Sequence, residues 1–158
     1  MHMYGTNREQ VAEVAMSGRL NAINHPDAIM RKPMTLEDYF NAPVIADPLC
    51  LFDFCLETDG AIAMVVTSTE QAKDLRQPPV KIVACAHGGS RDWGRSLYWM
   101  NMPEEAFVSS GNVAIANRLY RDADVTPADI DVAQIYDHFT PMVLAQLEDF
   151  GFCERGEG

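Results

Sequence analysis

The sequence predicts an α/β fold, a mixed sheet flanked by helices. Three observations carry this. Residues 61–67 form a continuous apolar run with β-branched residues, and residues 80–86 and 130–136 read as two further strands, all three expected to be buried on both faces. Helical segments separate and follow them, giving strand–helix order with right-handed crossovers. Capping residues, prolines and glycines stand at the junctions. At 158 residues, 47% hydrophobic and 22% charged, the chain has the size and balance of one folded domain.

The elements follow in order. Thr6-Asn7-Arg8-Glu9 reads as a capping box. Val11, Val14, Ala15 and Ala22 then fall near helical spacing, predicting a helix from about Asn7 to Ala22 that ends before His25-Pro26. A second box, Thr35-Leu36-Glu37-Asp38, opens a short helix closed by Pro43. From Pro43 to Asp59 the chain has no stable period and reads as a loop packed by Leu49, Leu51, Phe52 and Phe54.

Asp59-Gly60 is a turn before the first strand, Ala61 to Thr67. Ser68 caps a helix through Leu75, and Pro78-Pro79 stop it. The second strand is Val80 to Ala86. Gly88-Gly89-Ser90 begins a long loop with Trp93, Tyr98 and Trp99, which could line an apolar pocket or a dimer contact. Pro103 suits the first turn of a helix reaching about Asp122, with Phe107, Ala114 and Leu119 inward. Thr126-Pro127-Ala128-Asp129 is a further box, and Ile130 to Tyr136 the third strand. Thr140-Pro141 caps the last helix, which Gly151 terminates. Strands buried on both faces leave open sheet edges, so the chain is expected to be part of a larger domain or to pair with a partner.

Composition narrows the function classes. Twelve basic and twenty-three acidic residues give a formal net charge of -11, which repels phosphate backbones and anionic lipid; nucleic acid and membrane are not expected partners. No apolar run approaches the roughly 20 residues of a membrane span, and the N-terminus lacks the pattern of a signal peptide. A cytoplasmic protein is expected. Cys50, Cys55, Cys85 and Cys153 form no C-x-x-C pair and read as reduced, partly buried thiols. His2, His25, His87 and His138 are too scattered for ligand spacing, so no metal is expected. The nine methionines read as core filler.

The most informative stretch runs from Asp129 to Thr140. It places Tyr136, Asp137, His138 and Thr140 at the carboxyl end of a predicted strand, before a helix N-terminus, where open α/β sheets bind ligands. Strand alternation puts Tyr136 and His138 on one face and turns Asp137 away, to fix the loop or cap the helix. Tyr136 could instead be a packed strand-end aromatic, and His138 a solvated or capping residue. Gly88 and Gly89 match no phosphate-binding pattern and could form a simple loop or let a pantetheine arm approach the backbone.

The chain resembles the thiolase superfamily, in the branch of sterol-carrier-protein-x type thiolases and thiolase-like "lipid-transfer protein" aldolases. The matching residues are Tyr4-Gly5-Thr6-Asn7-Arg8-Glu9-Gln10, Ala46-Asp47-Pro48-Leu49, Asp59-Gly60-Ala61, Asp129-Ile130-Asp131, Tyr136-Asp137-His138-Phe139-Thr140 and Leu147-Glu148-Asp149-Phe150-Gly151-Phe152. The resemblance implies a partial thiolase fold. Residues 1–79 would end an N-terminal half, with its loop region, and residues 80–158 would begin a C-terminal half. The nucleophilic-cysteine segment and the Gly-His and second-cysteine segment of true thiolases have no counterpart here, so no thiolase turnover is expected from these residues alone.

Classical thiolases carry Asn-Glu-Ala-Phe, and the sterol-carrier type His-Asp-Cys-Phe, where this sequence has Tyr136-Asp137-His138-Phe139. The first of these residues helps form the thiolase oxyanion hole. A tyrosine there can donate a hydrogen bond and also exchange a proton, provided its surroundings lower its pKa from about 10. The resemblance thus implies an enzyme that makes or breaks a C–C bond next to a CoA thioester, leaning to retro-aldol cleavage of a β-hydroxyacyl-CoA in lipid or steroid side-chain degradation. Tyr136 and His138 are its catalytic candidates, and Gly88, Gly89, Phe139 and Met142 its substrate or CoA contacts. No cofactor is expected beyond CoA as the thioester substrate. The implied partners are acyl-CoA, a second copy of the chain and a small acyl-CoA-binding partner protein. The alternative is a non-catalytic, thiolase-like acyl-CoA-binding or partner subunit.

Overall fold

A computed structural model describes residues 1–88, 109 and 111–158. Helix α1 spans Arg8–Ile23 and α2 spans Leu36–Phe40. A small antiparallel hairpin follows, β1 Val44–Ala46 and β2 Leu49–Cys50, with a cis Asp47–Pro48 bond at its turn. It runs into a 3-10 turn at Leu51–Asp53. Helix α3 is Thr69–Ala72, α4 is Asn112–Ala123, a second 3-10 turn covers Pro127–Asp129, and α5 is Thr140–Asp149.

The helix starts are set by local chemistry. The capping box of α1 sits one residue later than its Thr-x-x-Glu reading: Asn7 Oδ1 accepts from the Gln10 N–H at 3.0 Å, and Gln10 Oε1 accepts from the Asn7 N–H at 2.9 Å. The amide pair satisfies two otherwise orphaned N–H groups, so it displaces the Thr6–Glu9 alternative. Thr35 and Asp38 form the predicted box of α2, with 2.8 and 3.1 Å bonds. The box at Thr126–Asp129 holds a 3-10 turn. At the end of α5, Gly151 takes φ +73°, while its N–H bonds Glu148 O at 3.0 Å and the Phe152 N–H bonds Leu147 O at 2.9 Å. These are the paired bonds of a Schellman stop, which favours glycine at the left-handed position.

Helix α1 packs against α5, α2 and the first 3-10 turn. The core joins Val11 and Ala12 of α1, Tyr39 of α2 and Cys50 of β2, with Ala15, Ala42 and Phe52 against it. The guanidinium of Arg8 lies over the rings of Tyr39 and Phe40, and that of Arg19 over Phe52. In α4 the buried position is Ala116, with Leu119 half-buried; Ala114, expected inward, is exposed. The Pro103 end of that predicted helix, with Phe107, lies outside the described residues.

Two readings need correction. The segment read as a loop from Pro43 contains the hairpin and a buried turn. Alternation in so short a hairpin is too brief to register as a period. The three runs at 61–67, 80–86 and 130–136 are not assigned as strands, and none pairs with another among the described residues. Most of their apolar side chains are exposed: Ile62, Val65 and Val80 are each 93% exposed and Val132 is 79%, while Ile135 is half-buried. An apolar composition suits a strand buried on both faces, but a ladder also needs a neighbour's N–H and C=O groups, and the described residues supply none.

Candidate active site around Tyr136

The polar motif lies on the approach to α5, and a buried carboxylate anchors it. Asp53 is completely buried. Its oxygens accept from Tyr39 Oη at 2.7 and 2.9 Å, from the Cys50 N–H at 2.7 Å and from Thr140 Oγ1 at 2.6 Å. A buried carboxylate is tolerated when hydrogen-bond donors saturate it. Burial, and then the Asp53 bond, pushes the Tyr39 phenol up, so Tyr39 stays a donor. Asp53 thereby ties α2, β2 and the first residue of α5 together. Thr140 does not cap its own helix; Phe139 holds the N-cap position without a side-chain bond, and the Thr140 hydroxyl is turned inward to Asp53.

The next residues extend the join. Phe54 and Phe139 form an antiparallel bridge with rings 5.2 Å apart, edge to face. The Cys55 N–H donates to His138 O at 3.2 Å. Tyr136 Oη then donates to Cys55 Sγ at 3.6 Å. The Tyr136 and His138 rings lie 5.2 Å apart at 32°, side by side although the segment is not a strand. His138 Nδ1 is 3.4 Å from Tyr136 O. In the tautomer that donates to this carbonyl, Nε2 carries the free lone pair. Gln146 of α5 donates to Tyr136 O at 3.4 Å and to Met142 O at 3.1 Å.

Tyr136 is 67% exposed, so its hydroxyl is reachable. Its pKa is raised, first by the bond to Cys55, then by the charge that sulfur can carry, with smaller contributions from burial and Asp137. The lowering that a lone phenolate base needs is therefore not supplied. A phenol held protonated is a ready hydrogen-bond donor, and it takes up a substrate proton only when its own proton leaves on the other side.

The structure brings Tyr136, His138 and Phe139 together, with Met142 half-buried in the first turn of α5. Gly88 is exposed and lies against α4, where an added Cβ would stand 3.9 Å from Ile115 Cγ1. Gly89, with Trp93, Tyr98 and Trp99, lies outside the described residues. Asp137 is exposed, and its Oδ2 is 3.8 Å from where a Gly18 Cβ would be, so it faces α1 and does not cap α5. Asp53 and Cys55 escaped the sequence reading. The available signal was a lone acid between two phenylalanines, Phe52-Asp53-Phe54, in an apolar stretch. An apolar cavity of about 500 Å³ lies between α4, α5 and the 83–84 and 130–135 segments, lined by Leu119, Tyr120, Ile130, Ile135 and Phe150. Neither Tyr136 nor His138 lines it. Among the described residues no group of three or more His, Cys, Asp or Glu could hold a metal ion.

Residues 93–158 match a family described as thiolase C-terminal domain-like. The solved structure of an Ltp2-ChsH2(DUF35) aldolase superposes with a TM-score of 0.89 at 41% identity, covering 99% of this chain and 41% of that one. The chain is thiolase-like. This thiolase-like chain is 42% identical over 158 residues to the 17-hydroxy-3-oxo-4-pregnene-20-carboxyl-CoA lyase of Mycobacterium tuberculosis. It is 41% identical to the steroid side-chain-cleaving aldolase of Thermomonospora curvata. Each alignment takes in 99% of this chain and 40% of the relative, so the chain spans about 40% of the length of these curated relatives. The resemblance to thiolases and thiolase-like aldolases read from the order and spacing of the six motifs agrees with these similarities. No helix among the described residues is long and apolar enough to cross a membrane.

Proposed function

We propose that this chain contributes the Tyr136 face of an active site that cleaves the C–C bond of a β-hydroxyacyl-CoA by a retro-aldol step, in lipid or steroid side-chain degradation. The observation that carries the reading is the reachable Tyr136 hydroxyl, aligned with His138 just before α5, in a chain 41–42% identical to two proteins named as a lyase and an aldolase.

Tyr136 meets the β-hydroxyl, and His138 stands beside it as the second proton-exchanging group. As the C–C bond breaks, electrons flow into the thioester and form an enolate; preorganised donors at such a centre are worth roughly 10²–10³ in rate each. Phe139, Met142, Gly88 and Gly89 are the proposed contacts of the acyl-CoA, with CoA entering as part of the substrate and no further cofactor. The division into an N-terminal half ending at residue 79 and a C-terminal half from residue 80 belongs to the same reading. So do a cytoplasmic setting, pairing with a second copy, and a small acyl-CoA-binding partner, which the two-component name of the aldolase structure supports.

The test supplies the full chain, with its partner, either a β-hydroxyacyl-CoA or a β-ketoacyl-CoA plus free CoA. Release of a carbonyl product and a shortened acyl-CoA from the first substrate is expected. Turnover of the second substrate alone, abolished by thiol alkylation, would make the protein a thiolase and overturn the reading.

A further inference from the structure

We propose that Cys55 is a positioning residue that works through Tyr136, accepting the phenol proton as the phenol takes the proton of the substrate's β-hydroxyl. This rests on the assignment of Tyr136 to the reacting site. The geometry is a chain of two bonds. The Cys55 backbone N–H is fixed to His138 O at 3.2 Å, which locks the residue's height against the motif. From there its sulfur receives the Tyr136 hydroxyl at 3.6 Å, within reach for a sulfur acceptor. The Phe54–Phe139 bridge and the Asp53–Thr140 bond fix the same two segments one and two residues further along. Three consecutive positions, Asp53, Phe54 and Cys55, are thus keyed to the motif, and the thiol is the member placed at the tyrosine.

The chemistry accounts for a tension in the site. The surroundings keep the phenol protonated, although the reaction asks for a base. A thiol ordinarily titrates near pH 8.5 and a phenol near 10, so in the pair the sulfur is the easier site for negative charge. In the forward step the substrate O–H proton moves to Tyr136 oxygen while the phenol proton moves to the Cys55 thiolate. The C–C bond breaks, the β-carbon becomes a carbonyl and the electron pair enters the thioester enolate. The proton then returns from the Cys55 thiol through Tyr136 to the enolate carbon, restoring the thiolate, so protons and charge balance with no external reagent. The other titratable groups near Tyr136 are Asp137 and His138 on its own segment. Helix α5 offers the uncharged amide of Gln146, and α1 faces Asp137 with Gly18.

The experiment measures pH–rate profiles of the full chain, with its partner, on a β-hydroxyacyl-CoA for the wild type, Cys55→Ala, Cys55→Ser and Tyr136→Phe. Both Cys55 variants are expected to lose about 10²-fold near neutral pH, and the rise on the acid side to move upward toward the phenol range. Serine keeps the size and a hydrogen-bond acceptor but does not ionise, so it guards against a packing artefact. A Cys55 variant with unchanged rate, or with reduced rate and an unmoved profile, would overturn the proposal while Tyr136→Phe still abolishes turnover. Full activity of Tyr136→Phe would instead overturn the reading on which it rests.

Discussion

Asp53 shows how much one side chain can hold in place. Three donors converge on its carboxylate from α2, the hairpin and α5, and all of them are buried with it or nearly so. Asp53→Ala would strand the Tyr39 hydroxyl, the Thr140 hydroxyl and the Cys50 N–H without partners. Groups left unsatisfied in this way cost roughly 1–3 kcal/mol. A lower urea midpoint at unchanged slope is the expected outcome; a midpoint equal to wild type would mean that water or relaxation satisfies these groups. The residue scale is also where the sequence was most uneven. The Tyr136-Asp137-His138 motif stands out in the sequence because its residue types and its place before a helix are local facts. Its meeting with Asp53 and Cys55 does not, because Thr140 lies 87 residues from Asp53 and Tyr136 lies 81 from Cys55, and no local pattern encodes such a meeting.

Among the elements, α2 is readable from its cap, α1 from a capping box one residue away from the predicted one, and α5 from Pro141 and the Gly151 stop, since these signals act within four residues. The hairpin at Val44–Cys50 was not, because two- and three-residue strands are too short for alternation to show. The caps also make a pH prediction. Hydrogen bonds from Thr35 hold the Asp38 carboxyl below its ordinary value, and bonds from Thr126 do the same for Asp129. Arg121 and then Arg118 lower that of Asp122. A carboxyl with a lowered folded pKa contributes stability that is fully present above the unfolded value, near 4, and is lost as pH falls through the folded value. Helical circular dichroism during an acid titration is therefore expected to hold to about pH 4 and decline below it. Asp38→Asn combined with Asp129→Asn should flatten that decline, and an equally steep one in the double variant would assign it to other groups.

For the molecule as a whole, the dominant fact is the apolar surface left open by residues 61–67, 80–86 and 130–136. Segments of this composition without a strand partner among the described residues are templates for strand pairing. The 158-residue chain by itself is expected to bind an apolar dye and to self-associate, as light scattering would register. Val65→Lys, placing a charge on a residue 93% exposed, should reduce association and leave the helical signal unchanged. A monodisperse, dye-free monomer would show that these segments find cover within the chain. The composition of the runs announced their need for burial; the neighbours that satisfy it are not determined by those residues, which is why the predicted strands and the observed ladder differ.

Tyr136 is likewise exposed, and the most direct measurement of its proposed role concerns its hydroxyl. On the proposed retro-aldol reading, cleavage of a β-hydroxyacyl-CoA should fall by roughly 10²–10⁴ in kcat for Tyr136→Phe, with KM little changed, because the phenyl ring keeps its place beside His138 and loses only the hydroxyl that exchanges the proton. Wild-type kcat in Tyr136→Phe would contradict the assignment of Tyr136 to the chemistry.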